Sequence, residues 1–325
     1  MLKVLLDNSC TNDCLYCAQR AGSNIQRERF NPDELAKTFV AMHQAQKVAA
    51  LFLSSGLGSN SVRTMDRMLA TAEILRRRYL YRGFLHLKIL PGAEFAQIER
   101  AAKLAQRLSI NLEAPGPQRL KQLSGHKDFS HDILRRLRWI ATLVRTRAGM
   151  VKGHTTQFVV GAAGESDREI VNVTHSLYHE LSVSRVYYSA FQPVAGTPLM
   201  DATPTPLMRE HRLYQADFLL RKYGFSSHEI PFSKDGNLSL QEDPKTTWAK
   251  THPEFFPLEI NRAEKEKLLR VPGLGPIAVT RVISARTSSP IREPNDLRRL
   301  SKTAYLAMPY LLFNGRLPSG QLALW

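Results

Sequence analysis

Cysteine is scarce in this chain: only three occur among 325 residues, and all fall within the eight residues from Cys10 to Cys17. None is left elsewhere to build a disulfide framework or to hold a second metal cluster, so the set points to metal or cluster ligation. Acid is also short. Asp plus Glu number 29 against 45 Lys plus Arg, a formal charge of +16. That surplus attracts polyanions and ranks nucleic acid above a membrane surface as the partner class. No apolar run approaches the roughly 18 residues of a membrane span. The opening Met1-Leu-Lys-Val-Leu-Leu-Asp7 is too short for a signal-peptide apolar region, so a cytoplasmic protein with no membrane association is expected. With 18 Gly, 18 Pro and 43% apolar residues, the composition excludes a collagen-like or wholly disordered chain.

What is present is periodicity. Over the first two thirds, short apolar runs alternate with longer amphipathic segments. Strands are expected at 2–6, 50–54, 84–90, 109–113, 155–161 and 185–190. The clearest helix start is Asn31-Pro32-Asp33-Glu34, where an Asn cap, a first-turn proline and early acids agree. Repeated strand-helix units imply an α/β core with a parallel sheet, open or rolled into a barrel. In either form the functional groups collect at the C-terminal ends of the strands. The cysteine loop after strand one then shares a mouth with Ser54, Ser55 and Gly56 after strand two, Lys88 on strand three, and Asn111 and Glu113 on strand four. A core over 1–200 is followed by a helical extension and linker over 201–257, marked by Pro193, Pro198, Pro204 and Pro206. Residues 258–325 carry 11 basic and 5 acidic residues and read as a small all-α domain.

Cys10-Thr-Asn-Asp-Cys14-Leu-Tyr-Cys17 spaces three thiols so that one tight loop turns all three sulfurs toward one point. Three thiolates suit three irons of a [4Fe-4S] cubane and leave the fourth iron without a protein ligand. A zinc site completed by His or Asp, and a chance clustering of buried cysteines, are the alternatives.

Three cysteines at this spacing, with an aromatic (Tyr16) before the last and a position after the first strand, resemble the radical S-adenosylmethionine superfamily. The resemblance implies a partial (β/α)6 TIM-like barrel, in which the open iron is chelated by S-adenosylmethionine and the reduced cluster cleaves the sulfonium to a 5'-deoxyadenosyl radical. It also implies a cofactor-binding set of Tyr16, Ser54, Ser55, Gly56, Lys88, Asn111, Glu113 and Gly161, and an electron donor such as flavodoxin or ferredoxin. Ser54-Ser-Gly56 occupies the place of the superfamily's Gly-Gly-Glu-like turn and lacks its acid.

Near the C-terminus, 261–270 reads as a short helix, Val271-Pro-Gly-Leu-Gly-Pro276 as a turn, and 277–286 as a second helix. This is a helix-hairpin-helix pattern. Gly273 and Gly275 permit positive backbone torsions and expose amides at a helix start where phosphate is favoured. Leu274 locks the hairpin, and Arg270 and Arg281 supply neighbouring cations. Such contacts bind DNA through its backbone, independent of sequence. The basic runs at Arg76-Arg77-Arg78 and Arg135-Arg136-Leu-Arg138 extend the footprint.

Leu51-Phe-Leu-Ser-Ser-Gly56, His86-Leu-Lys-Ile-Leu-Pro-Gly92, Tyr187-Tyr-Ser-Ala190 and Arg209-Glu-His-Arg-Leu-Tyr-Gln-Ala-Asp217, in that order, resemble one subgroup. This is the DNA modification or repair radical S-adenosylmethionine proteins with a C-terminal hairpin domain, a family that carries an N-terminal leader where this chain opens on strand one. The function implied is radical modification or repair of a nucleotide in DNA. The same chemistry on RNA, and a non-catalytic iron-sulfur redox sensor that binds DNA, are the competing readings.

Overall fold

Six strands, β1 (Leu2–Leu5), β2 (Ala50–Ser54), β3 (Phe84–Lys88), β4 (Arg107–Ser109), β5 (Gly153–Val160) and β6 (Arg185–Ala190), pair in parallel and in sequence order. A parallel sheet laid down in chain order, each strand beside its predecessor, curls toward a barrel, and six strands close it part-way. The computed structural model describes residues 1–318, which divide by contact into a first unit, 1–210, and a second from 211 onward. Among these residues no helix is long and apolar enough to cross a membrane.

In the first unit the strands are joined by α1 (Pro32–Gln44), α2 (Ser61–Glu73), α3 (Phe95–Leu104), α4 (Pro117–Lys121), α5 (Arg135–Arg145) and α6 (Asp167–Leu181). Their starts are written in the sequence. Asn31 caps α1 by accepting from the Asp33 N–H at 3.0 Å, and Ser166 with Glu169 forms a capping box on α6. Alternate strand residues such as Leu51, Leu53, Leu85 and Leu87 are fully buried and share the core with Phe39, Met65, Met68 and Leu69 from the helices.

The fourth strand departs from expectation: it ends at Ser109, so Asn111 and Glu113 lie beyond it. The N–H groups of Leu112 and Glu113 both donate to the Gln157 carbonyl, at 3.1 and 3.0 Å, and Glu113 sits at φ 66°. Two residues facing one is a bulge, and it breaks the ladder while keeping the chain against β5.

The second unit holds most of α7 (Leu207–Lys222), then α8 (Pro244–Thr251), α9 (Lys265–Leu268), α10 (Pro276–Ser288) and α11 (Pro294–Leu300). It is not all-helical. β7 (Leu258–Glu259) pairs in parallel with β8 (Leu311–Leu312). The Glu259 carboxylate accepts from the N–H groups of Asn261 and Gly315, and Asn261 exchanges bonds with the backbone of Ile291. These side-chain bonds hold the segment extended and shorten the helix expected over 261–270 to the single turn of α9. The stretch 201–257, read as helical extension and linker, contains packed aromatic residues: Trp248 meets Phe225, Phe255 and Phe256 edge-on.

Two outcomes follow from this packing. Phe39→Ala, at 0% exposure, is expected to lower stability by about 3–5 kcal/mol in urea titrations. Glu169 accepts from Arg119 at 2.9 and 3.1 Å, which, with Ser166 and against burial, lowers its pKa from 4.5 to about 2. A depressed carboxylate stabilises the fold above its unfolded pKa, and the gain is lost as pH falls through the folded value. The stability difference between wild type and Glu169→Gln, present at neutral pH, should therefore shrink between pH 4.5 and about 2.

Candidate functional site

At the C-terminal ends of the strands lies a cavity of about 270 Å³. Its walls bring together Cys10, Cys14, Cys17 and Tyr16 from the loop after β1, Ser54, Ser55 and Gly56 at the end of β2, Lys88 at the end of β3, and Asn111 and Glu113 on the bulged segment. Gly161 is not among them. Its N–H donates to Glu165, and a side chain there would meet the Thr205 hydroxyl at 2.0 Å, so this glycine serves packing.

The cysteine loop is held from several directions. Asp7, 1% exposed, accepts from the Ser9 N–H at 2.8 Å and from Arg29 at 2.6 Å. The Asp7 carbonyl in turn takes the Gly56 N–H at 2.7 Å. Gly56 is there of necessity: a Cβ would lie 2.2 Å from the Ser9 carbonyl oxygen. Arg27 ties the exit of the loop by donating to the carbonyls of Asn8, Gln19, Arg20 and Ser23. Between the cysteines, Asp13 accepts from the Ser124 hydroxyl and the Gly125 and His126 N–H groups. Burial opposes ionisation of Asp13, but these bonds outweigh it and lower its pKa.

The loop that Asp13 holds delivers Lys127, a residue that no sequence pattern singled out. Its ammonium group lies 3.3 Å from a Glu113 oxygen, with side chains only 8% and 10% exposed. It also faces the Cys14 thiol. Burial works against its charge, yet Glu113 and Cys14 together raise its pKa. Asn111 bridges the pair, donating to Glu113 at 3.3 Å and accepting from Lys88. Burial, only partly offset by Glu113, lowers Lys88 to about 8. Burial raises the pKa of the Cys14 and Cys17 thiols, and burial with Glu113 raises that of Tyr16.

Two ammonium groups thus face one carboxylate beside three thiols, and the cavity carries surplus positive charge. An anionic occupant fits it. Among the described residues no three His, Cys, Asp or Glu side chains converge closely enough to hold a single metal ion. The three thiols all line the cavity.

With this geometry in view, solved structures provide the comparison. The chain superposes on the FeFe-hydrogenase maturase HydG from Carboxydothermus hydrogenoformans with TM-score 0.54 at 15% identity, covering 67% of this chain and 50% of HydG. Methylornithine synthase (PylB) gives TM-score 0.54 at 14% identity, covering 67% and 60%. SuiB from Streptococcus suis, solved bound to S-adenosylmethionine, gives 0.51 at 13% identity, covering 67% and 47%. This chain shares their fold. The half-barrel is the partial TIM-like barrel expected from the sequence, and the chain spans about half the length of HydG. No protein-family model matches it, and a search of curated proteins finds no relative.

The residues expected to contact nucleic acid lie in the second unit and divide in two. Gly273 holds φ 76° in the turn before α10, and Gly275 caps that helix. Arg281 is exposed. Leu274 and Arg270 face inward. Leu274 is 1% exposed and its carbonyl accepts from buried Lys245 at 2.6 Å. Arg270 pairs with Glu229 at 2.9 Å and stacks its guanidinium 3.8 Å over Phe225, so its charge is spent within the fold. The basic runs are likewise partly structural. Arg76 donates to the Leu104 and Gly83 carbonyls, and Arg136 to that of Ala93.

Removing one member of the buried pair leaves the other uncompensated. Lys127→Met is expected to cost about 3–5 kcal/mol in urea unfolding of the metal-free protein. The double variant with Glu113→Gln should recover part of that loss, which a double-mutant cycle measures.

Proposed function

We propose that Cys10, Cys14 and Cys17 hold a [4Fe-4S] cluster and that the cavity beside them takes S-adenosylmethionine, in the service of modifying or repairing a nucleotide in DNA. The observation that carries this reading is the shared cavity itself: three thiols and a surplus of buried positive charge at the strand ends of a half-barrel. SuiB, which has the same fold, supports it through its bound S-adenosylmethionine. When reduced by a donor such as flavodoxin or ferredoxin, the cluster supplies reductive cleavage of the sulfonium to a 5'-deoxyadenosyl radical, which takes hydrogen from the substrate.

The chain's own residues do the rest. The Ser54-Ser55-Gly56 turn presents backbone and hydroxyl groups to the amino-acid portion of the cofactor. Asn111 and Glu113 orient its ribose, Tyr16 closes one wall, and Lys88 neutralises a carboxylate. In the second unit, the turn at 273–275 and Arg281 contact DNA phosphates without reading bases, while Arg270 and Leu274 keep the turn in shape.

The two halves separate experimentally. Anaerobic, reconstituted and reduced protein should form 5'-deoxyadenosine from S-adenosylmethionine, and more of it with DNA present. Cys14→Ala should abolish that product in mass spectrometry while leaving DNA affinity within about twofold. Gly273→Val should weaken DNA binding in fluorescence anisotropy and spare basal cofactor cleavage, because a Cβ at 273 would lie 2.3 Å from the Thr303 carbonyl and deform the turn. Equal loss of both activities in both variants counts against the division of labour.

A further inference from the structure

The lumen of the half-barrel continues below the cysteine cavity into a second chamber of about 220 Å³. The two chambers share Lys88, Asn111 and Gln157 in their walls, so a group seated in the lower one has its inner end at the floor of the upper. Lys3, Phe52, His86, Arg107 and Tyr187 shape the lower walls. Among the described residues no carboxylate lines this chamber, and none of the six strands contains an Asp or Glu.

Lys3, Lys88 and Arg107 share its lining with the rings of Phe52, His86 and Tyr187, and Phe84 and Arg185, outside the lining, pack against two of these residues. The Phe52 and His86 rings meet at 4.5 Å, the Arg107 guanidinium lies 5.4 Å over Phe84, and that of Arg185 lies 5.2 Å over Tyr187. His86, bonded to the Ser109 hydroxyl at 2.8 Å, is a neutral polar wall: burial and the charges of Lys88 and Arg107 push its pKa down to about 3. Concentrated positive charge at a polar, aromatic-walled opening is satisfied by a flat ligand with an anionic group.

We infer that this lower lumen is a nucleotide subsite in which Arg107 and Lys3 receive a phosphate at the outer rim while Phe52 and Tyr187 flank the base and direct the sugar toward the cysteine cavity. The inference rests on the reading of the upper cavity as the radical centre, and it names the chemistry of the substrate from residues of the first unit alone, independently of the glycine turn. A free nucleotide and a nucleotide residue of a DNA strand present the same groups.

Equilibrium binding by the full-length protein distinguishes these cases, with thymidine, thymidine 5'-monophosphate, inorganic phosphate and a short oligothymidylate as probes. The monophosphate should bind at least tenfold more tightly than thymidine. Arg107→Gln should remove that advantage without moving the urea midpoint, and Arg107→Lys should restore part of it. If Arg107→Gln does not fold, exposed Lys3→Gln gives the same test with a smaller loss. Tyr187→Ala should weaken nucleoside and nucleotide alike. Equal affinity for thymidine and its monophosphate, or an unchanged advantage in both cation variants, overturns the subsite. Competition by oligothymidylate that is lost in Arg107→Gln assigns it to a strand; binding of the monophosphate alone keeps the subsite and removes DNA as its source. The same preparations are assayed for 5'-deoxyadenosine. Product without nucleotide binding sinks the subsite alone, and nucleotide binding without product sinks the radical reading alone.

Discussion

One buried carboxylate fixes where the cysteine loop sits. Asp7 stands at the end of the first strand, where its side chain bonds Ser9 and Arg29 and its carbonyl receives the Gly56 N–H. Through these bonds it sets the path of the cysteine loop and the distance between that loop and the second strand end. A buried acid without such partners costs several kcal/mol, so the arrangement is held by necessity rather than by preference. The close approach of Gly56 to the Ser9 carbonyl belongs to the same constraint, since any side chain would force the two loops apart.

Charge placement supports the same geometry from the opposite side. The strands carry cations and no acids, and Glu113, the one carboxylate lining the cavity among the described residues, reaches it because a bulge turns it there. It compensates Lys127 directly and Lys88 through Asn111, leaving the lumen electropositive. In a low-dielectric pocket that imbalance favours anionic occupants by more than the same charges would at the surface. The same field underlies both the cluster proposed above and the phosphate proposed below.

Much of the barrel was legible because its strands are short apolar runs at regular spacing and its helices open on clear caps such as Asn31 and Ser166. The thiols, Ser54 to Gly56, Lys88, Asn111 and Glu113 were legible as strand-end residues. Lys127 was not, because it sits in an irregular loop whose position depends on Asp13, more than 110 residues earlier in the chain. The end of the fourth strand was misplaced because a bulge leaves no trace in hydrophobic periodicity. In the second unit the positive torsion of Gly273 could be anticipated, but the inward turn of Arg270 could not. An arginine beside a glycine turn reads as a phosphate ligand until the aromatic residues that stack on it are known to be near.

That stacking bears on which parts of the second unit hold together. Because Arg270 leans on Phe225 and Glu229, and Lys245 grips the Leu274 carbonyl, the turn is completed by residues that precede it by a few dozen positions. A graft cut at residue 258 would leave Trp248 and its aromatic neighbours behind and carry off a loop with its internal scaffolding missing. A cut near residue 211, where the second unit begins, keeps these contacts together.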